Sequence, residues 1–367
     1  MTFDSGLALH PSPVWCLGSK SPERNTLKSQ VRNLPLLGAV LIGIGMMLAP
    51  VMFQMFERAP LGGDMIEEFE PYMTVEQVER FRGYLVEIDA ANTESIDSLR
   101  DELVTSGAVD AEDYETMFVS IVALNEGWSA IDEDMTDLID RMEGNLGTYA
   151  AVAALPPFPM FPWFFAIPGL LIVVAASIAL YRRRDPARGS PRPAMWVLLG
   201  LGLALVAAPV AFQMFDRAPQ GRDMIEDFRP MMTRERVQDL QGYFVTMGAA
   251  EGQLRANALP VLTETGGNAD DYSAIAQWSA DWPSILTDFN PMVATMSDNI
   301  DNYDAVAALP SFALFPWFFL IPGLLIAVLS VLALRGLPKQ TDGADLSTDE
   351  ITSPTISTPV LAGKESS

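Results

Sequence analysis

The residues best suited to chemistry are carboxylates and arginines inside a motif that occurs twice. Ala49 to Thr74 reads APVMFQMFERAPLGGDMIEEFEPYMT, and Ala208 to Thr233 reads APVAFQMFDRAPQGRDMIEDFRPMMT. Glu57, Arg58, Asp64 and Glu67 of the first copy correspond to Asp216, Arg217, Asp223 and Glu226 of the second. Such a cluster could bind a headgroup or a partner protein. It could equally be an arginine–carboxylate pair, a directional contact able to fix a short helix at the base of each domain. Its presence in both copies suits a repeated fold element and favours the structural reading. A second acidic stretch, Ile131 to Asp140, reads IDEDMTDLID. It has the carboxylate oxygens that calcium takes, but neither the spacing nor the central glycine of an EF-hand loop. A solvated helix face is the expectation there.

Little else is equipped for catalysis. One cysteine, Cys16, can form neither an intrachain disulfide nor a cysteine-based zinc site. One histidine, His10, leaves no histidine metal cluster, and no Ser-His triad beyond the N-terminal tail. No Walker loop, GxSxG, HExxH or paired-carboxylate motif occurs. The expectation is a non-enzymatic protein without cofactor or metal. A net charge of -24 argues against a nucleic-acid partner, because the exposed segments would repel phosphate.

The elements that position these residues follow from a second repeated stretch. Asn145 to Leu180 (NLGTYAAVAALPPFPMFPWFFAIPGLLIVVAASIAL) returns as Asn299 to Leu334 (NIDNYDAVAALPSFALFPWFFLIPGLLIAVLSVLAL). A period this long implies a duplicated domain rather than a solenoid. Each copy opens and closes on an apolar segment with an acidic segment between. That arrangement reconciles 49% apolar residues with so large a negative charge.

Four segments reach the roughly 20 apolar residues a bilayer crossing needs. They are Leu34–Phe56, Phe161–Tyr181, Met195–Phe215 and Phe315–Leu334, and none holds an ionisable residue between its ends. That absence counts against ion-coupled transport. The N-terminal flank holds Lys20, Arg24, Lys28 and Arg32, the loop 182–194 holds Arg182, Arg183, Arg184, Arg188 and Arg192, and Arg335 and Lys339 follow span four. By the positive-inside rule the termini (1–33 and 335–367) and this loop are cytoplasmic, and the segments 57–158 and 216–312 face outward. Trp163 and Trp317 suit an outer aromatic belt and Trp196 an inner one. Residues 1–30 lack an apolar run, so span one reads as an uncleaved signal-anchor. Cys16, in PVWCLG, reads as a plain cytoplasmic thiol, with palmitoylation the minor alternative. The Ser/Thr/Pro-rich tail after Pro338 reads as disordered.

The predicted fold class is therefore an all-α integral membrane protein: four transmembrane helices in two parallel repeats, each with an extracytoplasmic helical-hairpin domain of three helices. Gly45, Ala49, Ala204 and Ala208 form small-xxx-small pairs, which predict that spans one and three pack at the centre. In the first domain Val78, Phe81, Leu85, Ile88, Ile96, Leu99 and Leu103 recur at helical spacing. So do Tyr114, Phe118, Ile121, Trp128, Ile131, Met135, Leu138, Met142 and Tyr149, which predicts a hairpin of coiled-coil character. Thr74 should cap the first long helix, and Asp110 (Asn268 in the second copy) the next. A short helix, Asp64 to Phe69, should end before Pro71. In the second domain Pro260, Pro283 and Pro291 should break or kink the helices. Pro50, Pro168, Pro209 and Pro322 should kink the spans. Gln54 and Gln213, at the outer span ends, should hydrogen-bond between helices or to interfacial water.

The partners expected are the lipid bilayer and another membrane or extracytoplasmic protein, with a homo-oligomer compatible. The leading functional expectation is an interaction surface: a sensor, scaffold or accessory subunit. The alternative is a carrier or conduit for lipid or another apolar molecule between the repeats.

Overall fold

A computed structural model describes residues 23–185, 187 and 189–337, with side chains from residue 32 onward. His10, Cys16 and the tail after Pro338 lie outside the described residues. Those residues form helices and turns without a strand.

The chain starts with α1 (Glu23–Met52), which runs through Pro35 and Pro50 without interruption. Gln54 then takes a left-handed backbone conformation, φ 54°, and turns the chain into α2 (Met55–Phe69). Its carbonyl accepts from the amides of Glu57 and Arg58 at 3.1 and 3.0 Å, so the turn also starts the helix. α2 is thus longer than the expected Asp64–Phe69, because the left-handed residue rather than a side-chain cap begins it. Thr74 accepts from the Gln77 amide at 3.2 Å and opens α3 (Val75–Glu94). A π-helical turn, Ser95–Leu99, leads into α4 (Arg100–Thr105). That turn inserts one residue into the periodicity. The buried stripe therefore passes from Ile88 through Asn92 and Ser95 to Leu99, leaving Ile96 37% exposed.

After α5 (Tyr114–Met117) comes α6 (Val119–Ala153), 35 residues and about 50 Å long. Asp110 is not its cap: the Asp110 carbonyl accepts from the Asp113 and Tyr114 amides of the preceding turn. A short 3-10 turn, Phe158–Met160, separates α6 from α7 (Phe161–Arg184) where Pro156, Pro157, Pro159 and Pro162 cluster.

The second half follows the same order. It runs through α8 (Arg192–Ala211), Gln213 at φ 53°, α9 (Met214–Phe228) and α10 (Arg234–Gln253). A π-helical turn at Leu254–Ala258 precedes α11 (Leu259–Glu264), and a 3-10 turn at Ala269–Asp271 precedes α12 (Ser273–Asp298). The chain closes with α13 (Ile300–Ala307), a 3-10 turn at Phe312–Leu314 and α14 (Phe315–Arg335).

The prolines of this half do not break its helices as expected. Pro260 sits in the first turn of α11, where a missing N–H costs nothing, and α12 runs through Pro283 and Pro291. An internal proline costs about 3 kcal/mol. Ile285, Phe289, Met292 and Met296 are buried around the two prolines, at about 1.5–3 kcal/mol each, and offset the cost of both. The interruption falls instead at Asn299, which is fully buried.

Among the described residues, four stretches are long and apolar enough to cross a membrane: Arg32–Met52, Phe158–Arg184, Arg192–Ala211 and Ile300–Arg335. In the apolar bundle α1 lies along α7 and α8 along α14, and the pairs meet through α1 with α14 and α7 with α8. The small-residue contacts fall two residues before those expected. Gly45 and Ala204 face outward, and a Cβ on Gly45 would meet nothing within 4 Å. The tight approaches are Gly43 to Gly169 and Gly202 to Gly323, where an added Cβ would lie 2.8 or 2.9 Å from the facing carbonyl oxygen. Spans one and three are not the central pair. The flat helix surface made by each glycine is used against the antiparallel neighbour in its own half.

Above this bundle the helices of 57–158 and 216–312 bury their apolar sides in one common cluster. α3 packs on both α6 and α12, and α10 on both α6 and α12. Phe81 stacks on Phe289 at 4.2 Å, and Phe244 meets the same ring at 5.1 Å.

Candidate functional site

Where the two halves meet, close to the apolar bundle, they leave an apolar cavity. Its empty volume is about 690 Å³ including its open side. α2 gives it Met65, Ile66 and Phe69, and α9 gives it Met224, Ile225 and Phe228. α6 contributes Leu138, Met142 and Tyr149, while α12 and α13 contribute Met292, Met296 and Tyr303. Tyr72, Met73 and Met232 complete the wall. All of these residues but Tyr72 stand at matching places in the two halves.

Local physics explains why the wall is apolar. Each short helix places two adjacent residues and one four positions on along a single face, and its carboxylates along the other. Of the three tyrosines on the wall, two spend their hydroxyls on the backbone: Tyr149 donates to the Ile66 carbonyl and Tyr303 to the Ile225 carbonyl. Burial pushes the Tyr149 phenol up to about 12, so it stays a neutral donor that ties α2 to α6. Asn145 donates to Asp227 at 3.3 Å and Asn299 to Glu68 at 2.5 Å, each joining one half to the other away from the cavity.

A second, smaller apolar chamber adjoins the first and shares Met65, Ile66, Met224 and Ile225 with it. It is also lined by Gly62, Gly221, Ala218, Val152, Leu155, Val306, Phe158 and Phe312. Below it the axis is filled by phenylalanines from both halves. Phe158 meets Phe312 at 6.0 Å, Phe161 meets Phe315 at 5.7 Å, and Phe165 stacks on Phe319 at 4.6 Å.

The acid–base residues singled out in the sequence do not converge on a site. Glu57, Asp64, Glu67 and Asp216 are exposed along α2 and α9. Asp223 and Glu226 face Arg222 at 2.5 and 3.8 Å on the outside of α9. Arg58 donates to the Ala308 carbonyl at 3.3 Å and Arg217 to the Ala154 carbonyl at 3.3 Å. The arginine contact expected with a carboxylate is thus made to a helix end. Each guanidinium meets the last carbonyls of a helix in the opposite half, where the helix dipole favours a cation.

The acidic run of α6 also turns to arginines. Asp134 accepts from Arg236 and Tyr243, Asp137 from Arg141 at 3.1 Å, and Asp140 from Arg82 at 2.8 Å. On the other half Asp288 accepts from Arg80 at 3.4 Å and Tyr84 at 2.9 Å. The helix starts are tied across the halves as well. Gln253 Oε1 accepts from the Ser120 and Ile121 amides of α6 at 2.9 and 3.1 Å. Glu94 Oε2 accepts from the Ile275 amide of α12 at 2.9 Å.

The cavity was not read from the sequence, although a signal for it was there. Met65 with Met73, and Met224 with Met232, sit inside the repeated motif, and seven of the chain's 19 methionines line the wall. Methionine is the flexible, polarisable residue of adaptable apolar surfaces. What the arrangement can do is hold an apolar molecule. No polar group on the wall could orient a substrate or move a proton.

Fold and site together define an all-helical protein with four candidate membrane-spanning helices and an apolar cavity between its halves. The sequence matches no protein-family model, and no curated protein is significantly similar to it.

Proposed function

We propose that this chain is a four-span plasma-membrane protein, built by internal duplication, whose outward-facing helical bundle receives an apolar molecule between its two halves. The observation that carries this reading is the cavity whose wall exposes no polar atom. An apolar wall of this kind accepts apolar guests. The paired phenylalanines below it favour reception over conduction through the bilayer. The orientation is supported by arginines gathered at one end of the apolar bundle. There Arg183 donates to the Arg32 carbonyl at 2.5 Å and the Ala333 carbonyl at 2.7 Å.

Native mass spectrometry of the protein released from lipid nanodiscs tests the reading. An apolar adduct should remain on the wild type and be absent from the cavity-filled variant M142W/M296W. Identical spectra for the two proteins would refute it. Orientation has its own test. Val86 and Val245 are 66% and 72% exposed on the bundle. Cysteines placed there should react with an impermeant maleimide on intact cells, and a cysteine at Arg184 should not.

A second reading, an interaction surface for a cationic protein, is supported by charge. Residues 57–158 hold 24 acidic and 5 basic residues, and 216–312 hold 15 and 6. Crosslinking of the tagged protein in cells would return one partner joined through this bundle. Unchanged association after its deletion would reject the idea.

A further inference from the structure

The geometry points to a specific guest: one hydrocarbon chain of a glycerolipid from the adjoining leaflet, threaded upward between α2 and α9 with its polar head left at the membrane surface. This rests on the reading of the cavity as an apolar site and names what fills it.

Three observations carry it. The two chambers abut with Met65, Ile66, Met224 and Ile225 as their common wall, and the flexible methionine side chains there can give way to join them into one apolar track. Its lower end lies at Phe158 and Phe312, in the turns that lead into the apolar helices α7 and α14. α6 lines the track from Val152 to Leu138, which spans about 21 Å at the helical rise. The chains of one leaflet span about 15 Å, half the hydrocarbon thickness of a bilayer, so the track can hold most of one chain.

The energetics favour a chain already in the membrane. Moving it from bilayer to cavity exposes no apolar surface to water, and it supplies dispersion contacts that a void lacks. The same wall excludes a guest that enters head first. No donor faces the track, so a carboxylate or phosphate inside it would be buried unpaired. That distinguishes a lipid held by its tail from a free fatty acid drawn in whole.

Photolabelling of the full-length protein tests the assignment. The protein would be reconstituted in phosphatidylcholine vesicles carrying a diazirine near the end of one acyl chain. A parallel sample would use a free fatty acid with the diazirine at the same position. Label from the phospholipid should appear in peptides of α2, α9 and the Leu138–Tyr149 stretch. M142W/M296W should lower that label at least tenfold and leave the label on α7 and α14 unchanged.

A milder variant guards against misfolding. A Cβ on Gly221 would make only ordinary contacts, 3.5 Å to Val152 and 3.7 Å to Phe312. Gly221→Ala should therefore narrow the lower chamber without a clash and move the label toward Leu155 and Phe158. Label confined to α1, α7, α8 and α14, or bundle label indifferent to both variants, would overturn the inference. Labelling by the fatty acid alone would overturn the glycerolipid as the source. An adduct that M142W/M296W abolishes, with neither probe labelling the bundle, would leave the apolar site standing and remove the acyl chain as its occupant.

Discussion

At the scale of single residues, related positions in the two halves carry unequal energetic weight. Asp134 accepts from Arg236 and Tyr243, and Asp288 from Arg80 and Tyr84. The Arg236 side chain is 17% exposed and the Arg80 side chain 42%. Desolvation strengthens a charged hydrogen bond, and exposure lets water screen it. Arg236→Ala should therefore cost about 2 kcal/mol. Arg80→Ala should cost clearly less, because water screens that pair. Denaturant unfolding in a mild detergent would measure both, and equal losses would contradict the argument.

The hydrogen bond from Arg236 holds the Asp134 carboxyl below its ordinary range. The Asp134 contribution is accordingly complete above the unfolded carboxylate value near 4 and is lost as pH falls through the lower folded value. Glu87 has the opposite sign. Burial, with the charge of Asp281 beside it, raises its carboxyl, and its Oε1 has no hydrogen-bond partner. Its charged form thus costs stability at neutral pH, and the cost is relieved as pH falls through the raised folded value. Glu87→Gln should stabilise the protein at pH 7 by about 1 kcal/mol, with the gain vanishing in acid. Melting curves across pH would show whether it does.

At the scale of elements, the helices of the apolar bundle depend on single glycines. A Cβ on Gly43 would lie 2.8 Å from the Gly169 carbonyl oxygen, and one on Gly202 2.7 Å from the Ala327 amide nitrogen. Backbone atoms cannot yield as a side-chain tip can, so Gly43→Ala and Gly202→Ala should each cost about 1–3 kcal/mol. Gly45→Ala meets open space and should be neutral. Thermal unfolding in nanodiscs separates the two outcomes. Sequence spacing favoured Gly45 because GxxxA patterns mark close helix approach. Which glycine is used depends on helix rotation, and that is set by the neighbour.

At the scale of the whole molecule, each half completes the other. Gln253 caps α6, Glu94 caps α12, Arg58 reaches the end of α13 and Arg217 the end of α6. One apolar cluster joins both sets of helices. A fragment ending at residue 187 should therefore lack a protease-resistant bundle when expressed alone. Co-expression with 189–367 should restore resistance. A first half that resists protease unaided would show that the reciprocal caps are dispensable.

The sequence by itself determined the elements. Uninterrupted apolar runs marked the spans, Thr74 marked a helix start, and three- and four-residue spacing marked the buried faces of α3 and α6, because these depend on residues near one another along the chain. Only the tertiary structure decided what those faces meet. The left-handed turns at Gln54 and Gln213, the π-helical turn that displaced Ile96, the continuous helix through Pro283 and Pro291, and the cavity all depend on contacts between residues far apart in sequence. A repeat seen in one dimension suggests two similar domains. In three dimensions each copy finds in the other the caps and the apolar surface that its own sequence lacks, and the space left between them is the candidate site.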